Sequence, residues 1–252
     1  MKKIILLTSF LLCATPAINL SKFRLENKQD TILLNKGYGE LKDAIDLIFQ
    51  QIVENDVKFQ NEKIAKIAKD SINQVYDNIK GLNLDIEEIP KYLLESNEDF
   101  RNNYTEIFNN IEKLPKQNYE NIKYLRSSSD YDELLETLKN NRPVIVGMIA
   151  AASVVGAGLG IAGIWSFGAT LHYAGAAAAT AIGMGKFLVD LDKSINLLEN
   201  GEMTKKEGAL IIINGAINTV TTVLGAASIL YNPATAGLVI MKSLGYLIGK
   251  FI

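Results

Sequence analysis

Cysteine, histidine and tryptophan each occur once in this chain, as Cys13, His172 and Trp165. A single thiol closes no internal disulfide, and Cys13 lies in a segment expected to be removed, so the mature chain is cysteine-free. Thiolate zinc sites and cysteine nucleophiles go with it, and one histidine makes no metal cluster. No G-x-S-x-G elbow occurs. No stretch alternates strictly between apolar and polar, so no sheet is expected, and no repeat of fixed period is found. A net charge of -2 offers no basic patch for nucleic acid. No catalytic residue, cofactor or metal is expected, and the chain is not read as an enzyme.

Charge itself is missing from long stretches. Residues 18–142 hold 18 Lys+Arg and 23 Asp+Glu, a balance of 18 − 23 = -5. Between Val144 and Gly185 there is no Asp, Glu, Lys or Arg, and between Ala209 and Met241 there is again none. The chain is thus a charged first half joined to an uncharged, apolar second half.

The N-terminus reads as a signal peptide over residues 1–17. Lys2 and Lys3 give a positive start, Ile4 to Cys13 an apolar run, and Ala14-Thr15-Pro16-Ala17 small residues for cleavage. Ten apolar residues are too few to cross a hydrocarbon core, which needs about 20. Leu12 before Cys13 makes a poor lipobox, so a lipidated cysteine is not favoured. Secretion is therefore expected. Residues 18–39 are polar and irregular, a leader or linker.

Residues 40–142 read as an amphipathic helical domain. Leu41, Ile45, Ile48, Ile52, Phe59, Ile64, Ile67, Ile72, Val75 and Ile79 form one apolar stripe with charges opposite, and neither Pro nor Gly interrupts residues 40–80. The spacing predicts one long helix over Leu41–Lys80, near 60 Å at about 1.5 Å per residue. Gly81 is the expected stop. A second helix is expected over Lys91–Leu114, striped by Leu93, Phe100, Tyr104, Ile107, Ile111 and Leu114, followed by short helices at 117–125 and 131–138.

Residues 143–252 read as two apolar helical hairpins. Asn140 and Asn141 can cap the first arm, and Pro143 suits its first turn. The arms are Val144–Trp165, Thr170–Val189, Ala209–Leu230 and Ala234–Ile252. Ser166-Phe167-Gly168 and Asn232-Pro233 turn the chain, and Asp190–Gly208 is a charged connector. Each arm approaches the length that spans a bilayer. The expected fold is all-α: an amphipathic bundle with a long helix, then two Ala/Gly-rich hairpins.

Within the first hairpin Ala152, Gly156 and Gly160 recur at every fourth position, as do Gly175, Ala179 and Gly183. Such spacing lets helix backbones approach closely in lipid, and a tight soluble core of Ala/Gly helices shows it too. With Gly147, Trp165 and His172 these nine residues are the expected membrane-inserting set. Trp165, Phe167, Tyr173 and Tyr231 fall at arm ends, where aromatic side chains favour the membrane–water interface. His172, between the arms, is a pH trigger or simply a polar residue at a hairpin tip, and the second is favoured. Gly158-Leu159-Gly160-Ile161-Ala162-Gly163 matches G-x-G-x-x-G, but no acid follows before Asp190 and no strand–helix alternation surrounds it. A dinucleotide site is rejected.

A charge-free Ala/Gly-rich hairpin after amphipathic helices resembles the pore-forming domains of colicins, apolipoprotein L and haemolysin E-type α-helical toxins. The resemblance is one of composition and order over residues 40–252, and two hairpins stand where those proteins have one dominant hairpin. It implies a secreted, membrane-active protein that inserts an apolar hairpin into a target bilayer as a pore or perturbant. The partner expected is a lipid bilayer, with self-association as the route to any pore. Two other readings fit the same hydropathy: a resident multi-span membrane protein with an exported helical domain, and a soluble secreted helical protein that binds a partner or lipid.

Overall fold

The computed structural model describes residues 37–55, 59, 61–112, 136, 139, 140, 142–166, 168–204, 207, 208, 211 and 215. The expected signal peptide lies outside them, and so, apart from residues 136, 211 and 215, do the short helices expected at 117–125 and 131–138 and the expected second apolar hairpin. Among the described residues the regular structure is all helical, with no strand. Six α-helices carry it: α1 (Tyr38–Asn55), α2 (Glu62–Leu82), α3 (Ile89–Ser96), α4 (Glu98–Glu112), α5 (Arg142–Trp165) and α6 (Leu171–Glu199). A 3₁₀ turn at Ile86–Glu88 leads into α3.

The long helix expected over Leu41–Lys80 is corrected to two. α1 ends at Asn55, and α2 opens on Asn61, whose side chain accepts the Lys63 amide at 3.0 Å. An asparagine cap supplies an acceptor to the orphan amides of a first turn, so the chain restarts there without glycine or proline. Packing gives the reason for the break. Both halves of the stripe pack on α5, which has 24 residues and is about 36 Å long. A straight rod of 60 Å would leave part of its stripe in water. As two separate helices the halves bury Ile45, Ile48 and Ile52 from one and Ile72, Val75 and Ile79 from the other.

The helix expected over Lys91–Leu114 is likewise broken, at Asn97. Its backbone is extended there, and its Oδ1 accepts the Phe100 amide at 2.8 Å, capping α4. Gly81 does not stop α2. The helix runs one residue further, and Asn83 takes the left-handed conformation at φ 51°, donating its amide to the Lys80 carbonyl. Asparagine is the non-glycine residue that tolerates that region best. The connector expected from Asp190 is also corrected: α6 continues through it to Glu199, because Leu191 and Ser194 remain buried and keep the helical face supplied.

α5 and α6 form an antiparallel hairpin, and α5 is its centre. α1, α2, α3 and α4 pack around α5, and α4 also lies against α6. The helices alternate in direction along the hairpin. Tyr38 at the start of α1 donates through its hydroxyl to the Leu84 carbonyl at 2.7 Å, so the start of α1 and the end of α2 meet. At the opposite end Phe59, between α1 and α2, packs edge-on to Tyr173 at the start of α6, with ring centres 5.2 Å apart. The bundle therefore has a base, where α5 begins and α6 ends, and a tip, where residues 166–170 turn the hairpin.

Candidate membrane-inserting hairpin

Both hairpin helices are long and apolar enough to cross a membrane, over Ile145–Trp165 and along Leu171–Glu199. Within the bundle, 83% of the most apolar window of α5 and 72% of that of α6 are buried. The surrounding helices turn apolar side chains inward and charges outward. Ile72, Val75 and Ile79 of α2 are buried while Lys66, Lys69, Asp70, Asp77 and Lys80 are exposed. Among the described residues α1 to α4 thus form a sheath around α5, and α6 lies against α5 and α4.

Small residues make the close contacts. An ideal Cβ on Gly158 would lie 2.5 Å from the Ile72 Cα, and one on Gly156 would lie 3.0 Å from Phe100 Cε2. One on Gly160 would lie 3.4 Å from the Asp99 Cβ. The run that imitates a dinucleotide fingerprint is therefore the interior of a helix, with Gly158 facing α2, Gly160 facing α4 and Gly163 facing Leu171. Of the nine expected residues, Gly147, Ala152, Gly156, Gly160, Gly175, Ala179 and Gly183 are buried within the bundle. His172 is half-buried, its ring 4.0 Å from that of Tyr173, and Trp165 is 69% exposed. Tyr173, expected at an interface, is instead 2% exposed, because Phe59 covers it.

Hydroxyl groups in the apolar arms are spent within the hairpin. Ser153 donates to the Ile149 carbonyl at 2.8 Å and Thr180 to the Ala176 carbonyl at 2.9 Å. In the turn, Thr170 Oγ1 donates to the Leu159 carbonyl at 2.8 Å and lies 3.3 Å from Ser166 Oγ. Gly168 makes the turn at φ +82°, donating its amide to the Gly163 carbonyl.

The base of the hairpin carries its charges. The Arg142 guanidinium forms a two-point bridge to Asp192, Nε to Oδ1 at 2.7 Å and NH2 to Oδ2 at 2.9 Å, and its NH1 reaches Glu87 Oε1 at 2.9 Å. Those hydrogen bonds, to Asp192 first and then to Glu87, hold the guanidinium above the ordinary arginine range. One side chain so joins both hairpin arms and the sheath. Lys139 pairs with Glu199 at the same end. The tip exposes Ile164 at 64%, Trp165 at 69% and Leu171 at 45%.

Sequence reasoning did not single out Arg142, Asp192 and Glu87, which lie 50 and 55 residues apart in pairs. Nor did it single out Ile164 and Leu171, since their exposure follows only from where the sheath ends. No protein-family model, curated protein or solved structure matches the chain.

Proposed function

We propose that this chain is a secreted, membrane-active protein of the pore-forming kind, carrying its α5–α6 hairpin in a water-compatible sheath and releasing it into a target bilayer. The observation that carries the reading is a pair of apolar helices, each long and apolar enough to cross a membrane, packed largely out of water beside amphipathic helices whose outer faces carry charge. A sheath of that kind suits a protein that travels through water. A hairpin of that kind suits hydrocarbon, because helices satisfy their own backbone there and the arm hydroxyls already bond to carbonyls one turn back. The driving force is apolar surface leaving water, worth about 25 cal/mol per Å². The opposing force is the apolar contact between sheath and hairpin, so insertion requires the two to separate. The reading assigns the protein no catalytic chemistry.

Separation can be blocked and restored. Disulfide formation needs Cβ atoms about 3.5–4.5 Å apart, and the Asp99 Cβ lies 3.4 Å from an ideal Gly160 Cβ. In a Cys13→Ser background, Asp99→Cys with Gly160→Cys ties α4 to α5. The oxidised protein should fail to release dye from liposomes, and reductant should restore release. Equal release by the oxidised and reduced forms would overturn the reading, as would a wild-type chain that releases no dye at neutral or acidic pH.

A further inference from the structure

We infer that the exposed tip of the hairpin, Ile164, Trp165 and Leu171, is the surface by which the protein first docks, and that its partner is the lipid surface itself. The inference rests on the membrane-active reading and adds where contact begins.

Three observations converge on these residues. The three side chains are large, apolar and 64%, 69% and 45% exposed, while Leu159 and Tyr173 nearby on the same two helices are covered. The described residues of the turn between them bond among themselves and to the hairpin end. Ser166 and Thr170 face each other, Thr170 donates to Leu159, and the amides of Ser166, Gly168, Ala169 and Leu171 all donate to carbonyls of the hairpin end. The third is charge within the hairpin: it has no Asp, Glu, Lys or Arg between Val144 and Gly185, the ion pairs of Arg142 and Lys139 lie at its far end, and the exposed charges at the tip end, Glu62 and Lys63, belong to the start of α2.

That chemistry fits lipid better than a protein partner. A protein partner is recognised by polar atoms at set positions around an apolar centre, and this tip has turned its hydroxyls and amides inward. A bilayer asks only for apolar side chains, satisfied backbone and an aromatic ring at headgroup level, which tryptophan supplies. The tip is also continuous with the two helices long enough to cross a membrane, so docking there leaves the hairpin pointing along its path of insertion.

Trp165 is the only tryptophan in the chain, so its fluorescence reports the tip alone. The full chain is mixed with vesicles of phosphatidylcholine, with and without phosphatidylglycerol, and with vesicles of brominated lipid. The expected result is emission shifted to shorter wavelength and quenched by the brominated lipid. Trp165→Ser should weaken vesicle co-sedimentation about tenfold, the scale expected for losing one large buried apolar side chain. Circular dichroism of that variant should match wild type, since Trp165 is mostly in water. Co-sedimentation with Trp165 emission unchanged would overturn the inference, as would dye release with unchanged emission, which leaves the pore reading standing. Shifted emission in an oxidised Asp99→Cys/Gly160→Cys protein that releases no dye would support tip docking as a step before insertion. Shifted emission in a wild-type chain that never releases dye would support docking and overturn the pore reading alone.

Discussion

Gly158 of α5 sits against the backbone of Ile72 in α2, so near that a Cβ would lie 2.5 Å from the Ile72 Cα and 2.8 Å from its amide nitrogen. The obstacle is main chain, which cannot rotate aside. Gly158→Ala should therefore push the sheath off the hairpin. Overpacking of this kind costs about 1–3 kcal/mol, offset by roughly 1 kcal/mol from the better helix propensity of alanine. Gly185→Ala, whose Cβ meets nothing within 4 Å, should be neutral or stabilising. Thermal unfolding separates them. If the sheath restrains the hairpin, Gly158→Ala should also release liposome dye faster than wild type. Identical melting of the two variants would contradict the close approach.

The base bridge gives a second expectation. Arg142, Asp192 and Glu87 keep 33%, 40% and 62% of their side chains exposed, so solvent screens them. Arg142→Gln should cost about 1 kcal/mol or less, most of it through Asp192, and high salt should shrink the difference from wild type. A double-mutant cycle of Arg142→Gln with Asp192→Asn measures the coupling. A coupling of zero at low salt would show the two-point bridge to be energetically idle.

Alkaline pH should unfold the base of the sheath first. Burial raises the hydroxyl pKa of Tyr76, with Asp77 adding to it, and burial likewise raises that of Tyr38 against the lowering effect of its bond to the Leu84 carbonyl. A raised pKa means the folded state holds its proton more tightly than the unfolded chain. The stabilisation is complete below the unfolded tyrosine value near 10 and is lost as pH climbs through the folded values. Phenolate absorbance and helical ellipticity followed together should show these two tyrosines titrating late and with loss of helix. Tyr76→Phe removes the bond from its hydroxyl to the Tyr38 carbonyl, 2.7 Å long, and should cost about 0.5–1.5 kcal/mol.

The asparagine caps should matter individually. Asn61→Ala and Asn97→Ala each remove the acceptor that opens a helix, a loss of about 1 kcal/mol apiece. Asn→Asp at either site keeps an acceptor and should restore most of it. Denaturant midpoints for the four variants test the pattern. Equal midpoints for the Ala and Asp variants would mean that the breaks are held by packing alone.

Export should fail when Leu6 and Leu7 are both replaced by Asp, because the apolar run of the expected signal is broken. Fractionation of cells and medium reads the result, and normal secretion of that variant would remove the signal-peptide reading.

The all-α fold was legible because its signals are local. Stripes at helical spacing, the absence of charge from Val144 to Gly185, and the Ser166–Gly168 turn can each be read within a few residues. The breaks at Asn61 and Asn97 were hidden because asparagine serves equally on a solvated helix face and as a cap. At Asn61 the length of α5 decides between those uses. The reach of α6 to Glu199 was hidden for a related reason: Asp190, Asp192 and Lys193 look like a connector until Arg142 is brought opposite them. The small residues at every fourth position were legible as a close-packing pattern, while the partners that Gly156, Gly158 and Gly160 meet here, Phe100, Ile72 and Asp99, were not. Those contacts lie 56 to 86 positions away in sequence, beyond the reach of any local pattern.

The two arms differ in how far from the turn their first charge falls, and on the proposed reading that asymmetry would work as a depth gauge. From Trp165 back to Arg142 is 23 residues, about 35 Å of helix, whereas from Leu171 to Lys186 is 15 residues, about 22 Å. A hydrocarbon layer is about 30 Å thick. For a hairpin advancing tip first, α5 crosses the whole layer before a charge meets the near surface. α6 brings Lys186 in about 8 Å early, a gap its aliphatic stem can bridge by reaching back to the headgroups. Asp190, one turn later, has no such stem and would come to the surface as the far leaflet is reached, so the proposed advance would halt with Arg142 and Asp192 still on the aqueous side.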